Sequence, residues 1–470
     1  MKKHKITLGL LLLLPVVFLS TACGDADYEE DTVVLRVSNW EEYIDEGDWD
    51  DDELIDLEDG TDIIGYESMV DDFEEWYADT YGVDVKVEYS TFGTNEELYN
   101  QLTIGDVFDL VCPSEYMIMK MMREGMLVPF SEDFYNTENE YSYYANGVSP
   151  YIKDIYDDLN INGEAISKYA AGYMWGTLGL VYNPEEVTEE EASRWDLLIN
   201  DKFRKRVTVK DSVRDTYIAA LPIIYYDEIT SEEFVNSPDF NDRISEVLNR
   251  TDAETVAKVE ELLTEVKEHV YSFETDSGKA DMVTGKVVAN LQWSGDAVYT
   301  MDQADEDEVE LCYSVPNEGS NIWFDGWVML KDGVNEDPRK QQAAEAFINF
   351  VSRPDNAIRN MYYIGYTSVI SGGDSDLILE YIDWNFGAEE DEEETFDYDI
   401  SYFFGAEDGD EDYTIVAPID QYKRQLMAQY PSKAEMERSA VMRCFEEEDN
   451  KRINRMWTNI RCFDLKSLFD

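Results

Sequence analysis

The sequence predicts an α/β protein built largely on parallel strands. Short apolar runs of strand length alternate with stretches of helical period, polar residues close each run, and no tandem repeat imposes another architecture.

Val33-Val34-Leu35-Arg36-Val37 reads as a buried strand ending at the polar pair Ser38-Asn39. A helix follows over about residues 65–80, where Met69, Phe73, Trp76 and Tyr77 fall at helical spacing, and Gly82 stops it. Val83, Val85, Val87 and Tyr89 alternate as a strand, Asn95–Ile104 reads as a helix, and 107–112 forms another strand closed by Pro113. Further strands are expected at 177–182, 206–210, 287–292, 309–315 and 326–330, with helices at 212–224, 252–270, 338–352 and 354–362. Four acidic stretches, at about 45–60, 132–146, 226–247 and 387–412, lack a clear apolar period and are expected to be surface loops or decorations. In the first, Asp48, Asp50 and Asp52 are spaced like the start of a calcium loop. Glu53 stands where that loop needs its turn glycine, so no metal site is assigned.

At the N-terminus Lys2, Lys3 and Lys5 precede an apolar stretch over 6–19 and small residues ending at Cys23, the layout of a secretory signal. The stretch is too short for a transmembrane helix. Ser20-Thr21-Ala22-Cys23 resembles the bacterial lipoprotein processing site, whose cysteine receives a diacylglyceryl group; Ser20 stands where that pattern usually has Leu. The expected organisation is a signal peptide over 1–22 and a lipidated acidic tether over 23–32. The body is expected at the outer face of the cytoplasmic membrane, or in the periplasm, linked to the bilayer through the lipid alone.

The chain of 470 residues carries 105 acidic against 37 basic residues, a formal charge of −68. Nucleic acid is excluded as a default partner, because phosphate binding needs basic grooves. Such a field attracts cationic solutes and also keeps proteins soluble, so the charge is consistent with a polycationic ligand without identifying one. An apolar content of 44% with 10 Trp, 32 Tyr and 20 Phe argues for packed domains. Of the cysteines, Cys23, Cys112, Cys312, Cys444 and Cys462, none form the paired spacing of a zinc site. The last four are either disulfide-bonded or free.

No catalytic residue is assigned. Beyond the signal the chain has a single histidine, His269, on an amphipathic helix, so a serine-type triad has little support. Carboxylates are too numerous for any glycosidase pair to be picked without geometry, so an extracellular carbohydrate-active enzyme stands as an alternative from another class. The absence of GxxxxGK[ST] places any ATPase on another chain.

The informative segments put aromatics and acids just after strands, where open α/β folds bind ligands. They are Asn39-Trp40-Glu41-Glu42-Tyr43, Pro113-Ser114-Glu115-Tyr116, Asp211-Ser212-Val213-Arg214-Asp215, Gln292-Trp293-Ser294-Gly295-Asp296, Ile322-Trp323-Phe324-Asp325-Gly326 and Ile364-Gly365-Tyr366-Thr367. An alkylammonium ligand needs carboxylates at its charged ends and aromatic faces along its methylenes, which is the mixture these segments supply. Asp325 follows Trp323 by two residues, so an extended segment points both to one face.

The order of these motifs resembles the spermidine/putrescine-binding proteins of ABC transporters, from about Val33 to Tyr366. The likeness is carried by the segment 39–43, Tyr89-Ser90-Thr91 through Asn95-Glu96, Phe108-Asp109-Leu110-Val111 through Tyr116, and Arg123-Glu124-Gly125-Met126. Met174-Trp175-Gly176-Thr177, Trp323-Phe324-Asp325 and Ile364-Gly365-Tyr366 continue it. The resemblance implies a two-lobed periplasmic-binding-protein-like fold of type II, with hinged lobes and a ligand cleft between them. Lobe 1 is expected over 33–175 and 324–370, lobe 2 over 176–323 and 371–470. It implies an aromatic box of Trp40, Tyr43, Tyr116, Trp293, Trp323 and Tyr366. Glu42, Asp215 and Asp325 would meet the ammonium groups, with Ser114 as a hydrogen-bond partner. It also implies a polyamine ligand, no cofactor, and an ABC permease with separate ATPase subunits as partner. A receptor for another small solute on the same fold is the nearer alternative. Spermidine-preferring relatives carry an acid where this chain has Ser212; here the acid is Asp211, one residue earlier.

Overall fold

The computed structural model describes residues 31–334, 337–389 and 391–462. Cys23 and the expected signal and tether up to residue 30 lie outside the described residues.

The strand Val33–Trp40 pairs in parallel with Val85–Phe92 along its whole length, from Val33 beside Val85 to Trp40 beside Phe92. Between them runs the helix Met69–Tyr81, which starts at the first of its apolar positions, four residues after the expected start. Ser68 fixes that start by accepting a hydrogen bond from the Asp71 amide, and Gly82 ends the helix in the left-handed conformation at φ 66. Asp252 likewise caps Ala253–His269, and Ser212 caps Val213–Ile224.

One mixed sheet runs through the molecule in the order Ser272–Glu274, Val207–Lys210, Ala289–Trp293, Ala170–Tyr182, Asn321–Leu330, Leu110–Val111, Val33–Trp40 and Val85–Phe92. Pairing is parallel toward both ends and antiparallel in the middle. The middle strands are longer than expected. Every residue of Ala170–Tyr182 and of Asn321–Leu330 is buried, so no polar alternation marks their limits in the sequence. These two strands cross between lobes. Ala170 to Trp175 belong to one apolar core, while Leu178, Leu180 and Tyr182 belong to another.

The acidic stretches are not mere loops. Trp49, Ile55 and Leu57 from the first, Phe134 and Tyr144 from the second, and Tyr398, Ile400, Tyr402 and Phe403 from the fourth are buried in the first core, and Phe234 and Ile244 from the third in the second. Most of their elements are four or five residues long, or short hairpins, which contribute one or two apolar residues each; the exception is the helix Phe240–Leu248, which buries Ile244, Val247 and Leu248. The expected lobe boundary at 371 also needs correction. Ile378, Tyr381, Phe386, Leu426 and Tyr430 pack in the first core, where Phe403 stacks on Trp175 at 5.7 Å. The chain touches the second lobe at Arg424, which pairs with Asp305, and at Ala428, which packs with Val181 and Ala297, and beyond Met436 it enters that lobe's main core. Ala440–Val441 pairs with Asn321 and Ile322, and Ile453, Met456 and Ile460 close the second core.

Asp50 and Glu53, from the calcium-like stretch, instead form a local cap in which the Asp50 amide donates to Glu53 at 2.7 Å. The described cysteines Cys112, Cys312, Cys444 and Cys462 are unpaired thiols, the first two buried. Among the described residues no helix is long and apolar enough to cross a membrane.

Candidate ligand-binding site

The side chains in question stand where strands give way to helices or turns. Trp40 ends Val33–Trp40, Ser114 begins the helix Glu115–Arg123, Asp215 lies in the first turn of Val213–Ile224, and Trp293 leads into Ser294–Glu306. Trp323 and Asp325 come from the crossing strand Asn321–Leu330. Tyr366 follows Gly365, which ends Pro354–Ile364 at φ 75. The carboxyl ends of strands from both lobes, together with the crossing strand, therefore supply one site.

Asp325 is its inner anchor. The register of the two crossing strands slips after it, with Asp325 opposite Met174 and Gly326 opposite Gly172, so Tyr173 is bulged out. Tyr173 uses its freedom to donate to the Tyr43 carbonyl at 2.8 Å, and the Tyr43 hydroxyl donates to Asp325 at 2.9 Å. Ser114 makes no side-chain cap to its own helix; its hydroxyl donates to the other Asp325 oxygen at 2.7 Å while accepting from Asn95 at 3.0 Å. Trp40 turns its indole N–H close enough to favour the Asp325 charge, yet that N–H has no hydrogen-bond partner among the described residues. All these donors are neutral, and among the described residues no Lys or Arg forms an ion pair with Asp325. Burial raises its carboxyl to about 6, against the opposing pull of Ser114 and Tyr43. Burial and the Asp325 charge push the neighbouring Glu115 carboxyl up to about 8.

Aromatic rings connect this anchor to a second carboxylate. Tyr43 meets Tyr366 edge-on at 5.2 Å, and Trp323 meets Tyr366 at 5.7 Å. Gly176 and Gly295 permit this packing, because a Cβ on either would run into the Trp323 or Tyr366 ring. The Tyr366 hydroxyl donates to Asp296 at 2.9 Å. Lys210 donates to the other Asp296 oxygen at 3.0 Å and lies over the Trp293 ring at 4.4 Å; Lys279 stands 3.6 Å from Asp296. Burial alone would raise the Asp296 carboxyl, but the charges of Lys210 and Lys279 outweigh it and hold it below its usual range. Trp293 donates its indole N–H to Asp215 at 3.2 Å. Burial raises the Asp215 carboxyl despite Ser212, Trp293, Lys210 and Arg214.

Of the ten residues expected here, Trp40, Tyr43, Ser114, Trp323, Asp325 and Tyr366 surround the inner anchor, and Asp215 and Trp293 form the second carboxylate's side. Tyr116 stands beside them with one ring face covered by the Arg214 guanidinium at 4.3 Å. Glu42 does not join. The first strand ends at Trp40, and Glu42 lies in the following turn at φ 52 with its side chain exposed. Asp296, Lys210, Arg214 and Asn95 were not expected as site residues. Asp296 and Asn95 lay inside segments singled out by sequence, and Lys210 was marked only by a lysine ending an otherwise buried strand. Two cavities, of about 380 and 430 Å³, lie elsewhere in the first lobe and include none of these residues.

A profile of the bacterial extracellular solute-binding proteins matches residues 68–375. The chain belongs to that family. Among curated relatives, the putrescine-binding periplasmic protein of Pseudomonas aeruginosa is 24% identical over 339 residues, 69% of this chain and 75% of that protein. The spermidine/putrescine-binding periplasmic protein of Escherichia coli is 25% identical over 284 residues, 60% of this chain and 70% of that protein. Among solved structures, the spermidine/putrescine ABC transporter substrate-binding protein of Streptococcus pneumoniae superposes with a TM-score of 0.58 at 22% identity, covering 91% of this chain and 98% of that one. A lipoprotein of Treponema pallidum gives 0.58 at 17% identity, covering 91% and 99%. The likeness to these structures establishes the two-lobed fold with its cleft.

Proposed function

We propose that this chain captures a small polyamine of the putrescine or spermidine class between its lobes, without chemical turnover, and hands it to a separate ABC permease driven by its own ATPase subunits. The observation that carries this reading is Asp325, a carboxylate at 6% exposure whose donors are neutral hydroxyls and whose surroundings are aromatic. A buried charge in that setting is costly until a cation meets it, and an alkylammonium supplies both the charge and methylenes for the rings. The names of the curated relatives point to the same ligand class. An anionic or neutral sugar would leave the carboxylate uncompensated.

Calorimetry with putrescine, spermidine, spermine and glucose tests this directly, and binding of glucose alone would overturn it. A thermal-shift panel extends the search, since a ligand at 100 times its Kd stabilises the folded state by about 2.7 kcal/mol. Cys23 is proposed as the lipid attachment site. In a bacterial host the Cys23→Ala protein should leave the membrane fraction, and continued partitioning there would remove the anchor.

A further inference from the structure

We infer that Lys210 is a built-in cation occupying the place of a second ligand ammonium, so that the inner cleft pairs one ligand ammonium, at Asp325, and each further ammonium goes unpaired; diamines, with one such group, are preferred to triamines and tetraamines, with two or three. This rests on the polyamine reading above and narrows it.

The two ends of the site differ in charge. At the Asp325 end stands a carboxylate with neutral donors. At the other end the carboxylates Asp296, Asp215 and Asp276 stand among Lys210, Lys279 and Arg214, so the carboxylates there already face cations of the chain itself. The Lys210 side chain is 1% exposed, and its ammonium satisfies the groups a ligand ammonium would seek there: the Asp296 oxygen at 3.0 Å, the Thr275 carbonyl at 3.1 Å and the Trp293 face at 4.4 Å. Lys210 and the Tyr366 hydroxyl take the two Asp296 oxygens, while Lys279 stands nearer Asp276, at 2.7 Å, than Asp296, at 3.6 Å. Tyr366 joins the two ends, touching Tyr43 on the Asp325 side and Asp296 on the other. A polyamine anchored at Asp325 and long enough to carry a second ammonium past Tyr366 meets a cation where it needs an anion, and like charges brought together in a desolvated cleft reject a ligand strongly.

The test is calorimetry with 1,4-diaminobutane, spermidine and spermine on the wild-type chain, Lys210→Gln and Lys210→Met. Gln keeps a donor for the Thr275 carbonyl, and in both variants Asp296 retains Lys279 and Tyr366. The wild-type protein should bind the diamine at least tenfold more tightly than spermidine. Both variants should shift the spermidine-to-diamine affinity ratio toward spermidine by tenfold or more, as the Asp296 and Trp293 positions become open to a ligand ammonium. Wild-type affinity for spermidine equal to or above that for the diamine would overturn the inference without any variant. So would a ratio that moves less than threefold in variants with native melting, and either result leaves the polyamine reading standing. If no amine binds to any of the three proteins, the polyamine reading itself falls and Lys210 has no selective role.

Discussion

Tyr43 and Asp325 lie 282 residues apart in sequence, and the tyrosine hydroxyl donates to the carboxylate at 2.9 Å. The contact joins the turn after the first strand to the strand that crosses between lobes. Tyr43 is in turn held by Tyr173 from the other crossing strand, so the anchor's geometry depends on all three segments.

Tyr43→Phe should therefore weaken polyamine binding while preserving the fold. The ring keeps its edge contacts with Tyr173 and Tyr366, and only the hydroxyl is lost. A hydrogen bond to a charged group contributes roughly 1.5–3 kcal/mol, so the affinity should fall by about tenfold to a hundredfold. Calorimetry measures this, and unchanged affinity would show that Asp325 does not need the donor.

The pH dependence has two opposite signs. Binding an ammonium requires the ionised form of Asp325, so polyamine affinity should fall as pH drops below about 6. Stability of the unliganded protein should move the other way. The folded carboxyl sits above its ordinary value, so the folded state holds the proton more tightly, and this group's contribution declines as pH rises from about 4 to about 6. At about 1.4 kcal/mol per pKa unit, the decline is roughly 3 kcal/mol. Chemical denaturation of wild type and Asp325→Asn across that range isolates it, because the Asn variant should lack the Asp325 contribution.

Gly295→Ala should disturb the site through Tyr366. The added methyl would occupy space filled by the Tyr366 ring, so the ring must move and its bond to Asp296 should break. Overpacking of this kind costs roughly 1–3 kcal/mol. The variant should melt earlier and bind polyamine more weakly, and native melting with native affinity would show that the ring has room to shift.

Much of this was legible in the sequence because local rules and tertiary structure agree. Val33–Trp40, Val85–Phe92, Met69–Tyr81 and Ala253–His269 follow their periods and caps, and their strand ends bring the aromatic segments together. Glu42, assigned by resemblance alone, falls in a turn at φ 52 with its side chain exposed, which the short motif around it does not convey. The allocation of 371–436 failed because Tyr398, Phe403 and Leu426 sit in short elements whose apolar residues do not reveal which core receives them. Lys210 escaped notice because a lysine ending a strand is ordinarily solvated. Only the arrangement of Asp296, Thr275 and Trp293 around it shows why it is buried.

The central claim is that Asp325 receives the charged end of the ligand, and Asp325→Asn tests it most directly. The substitution keeps the side chain's shape and leaves one oxygen to accept from either Ser114 or Tyr43, while deleting the charge. Leaving a buried ammonium unpaired costs roughly 2–5 kcal/mol, so calorimetric titration with putrescine should show a loss of affinity of about thirtyfold or more. Wild-type affinity in a variant with native melting would contradict the account, because the ligand's charge would then be met elsewhere.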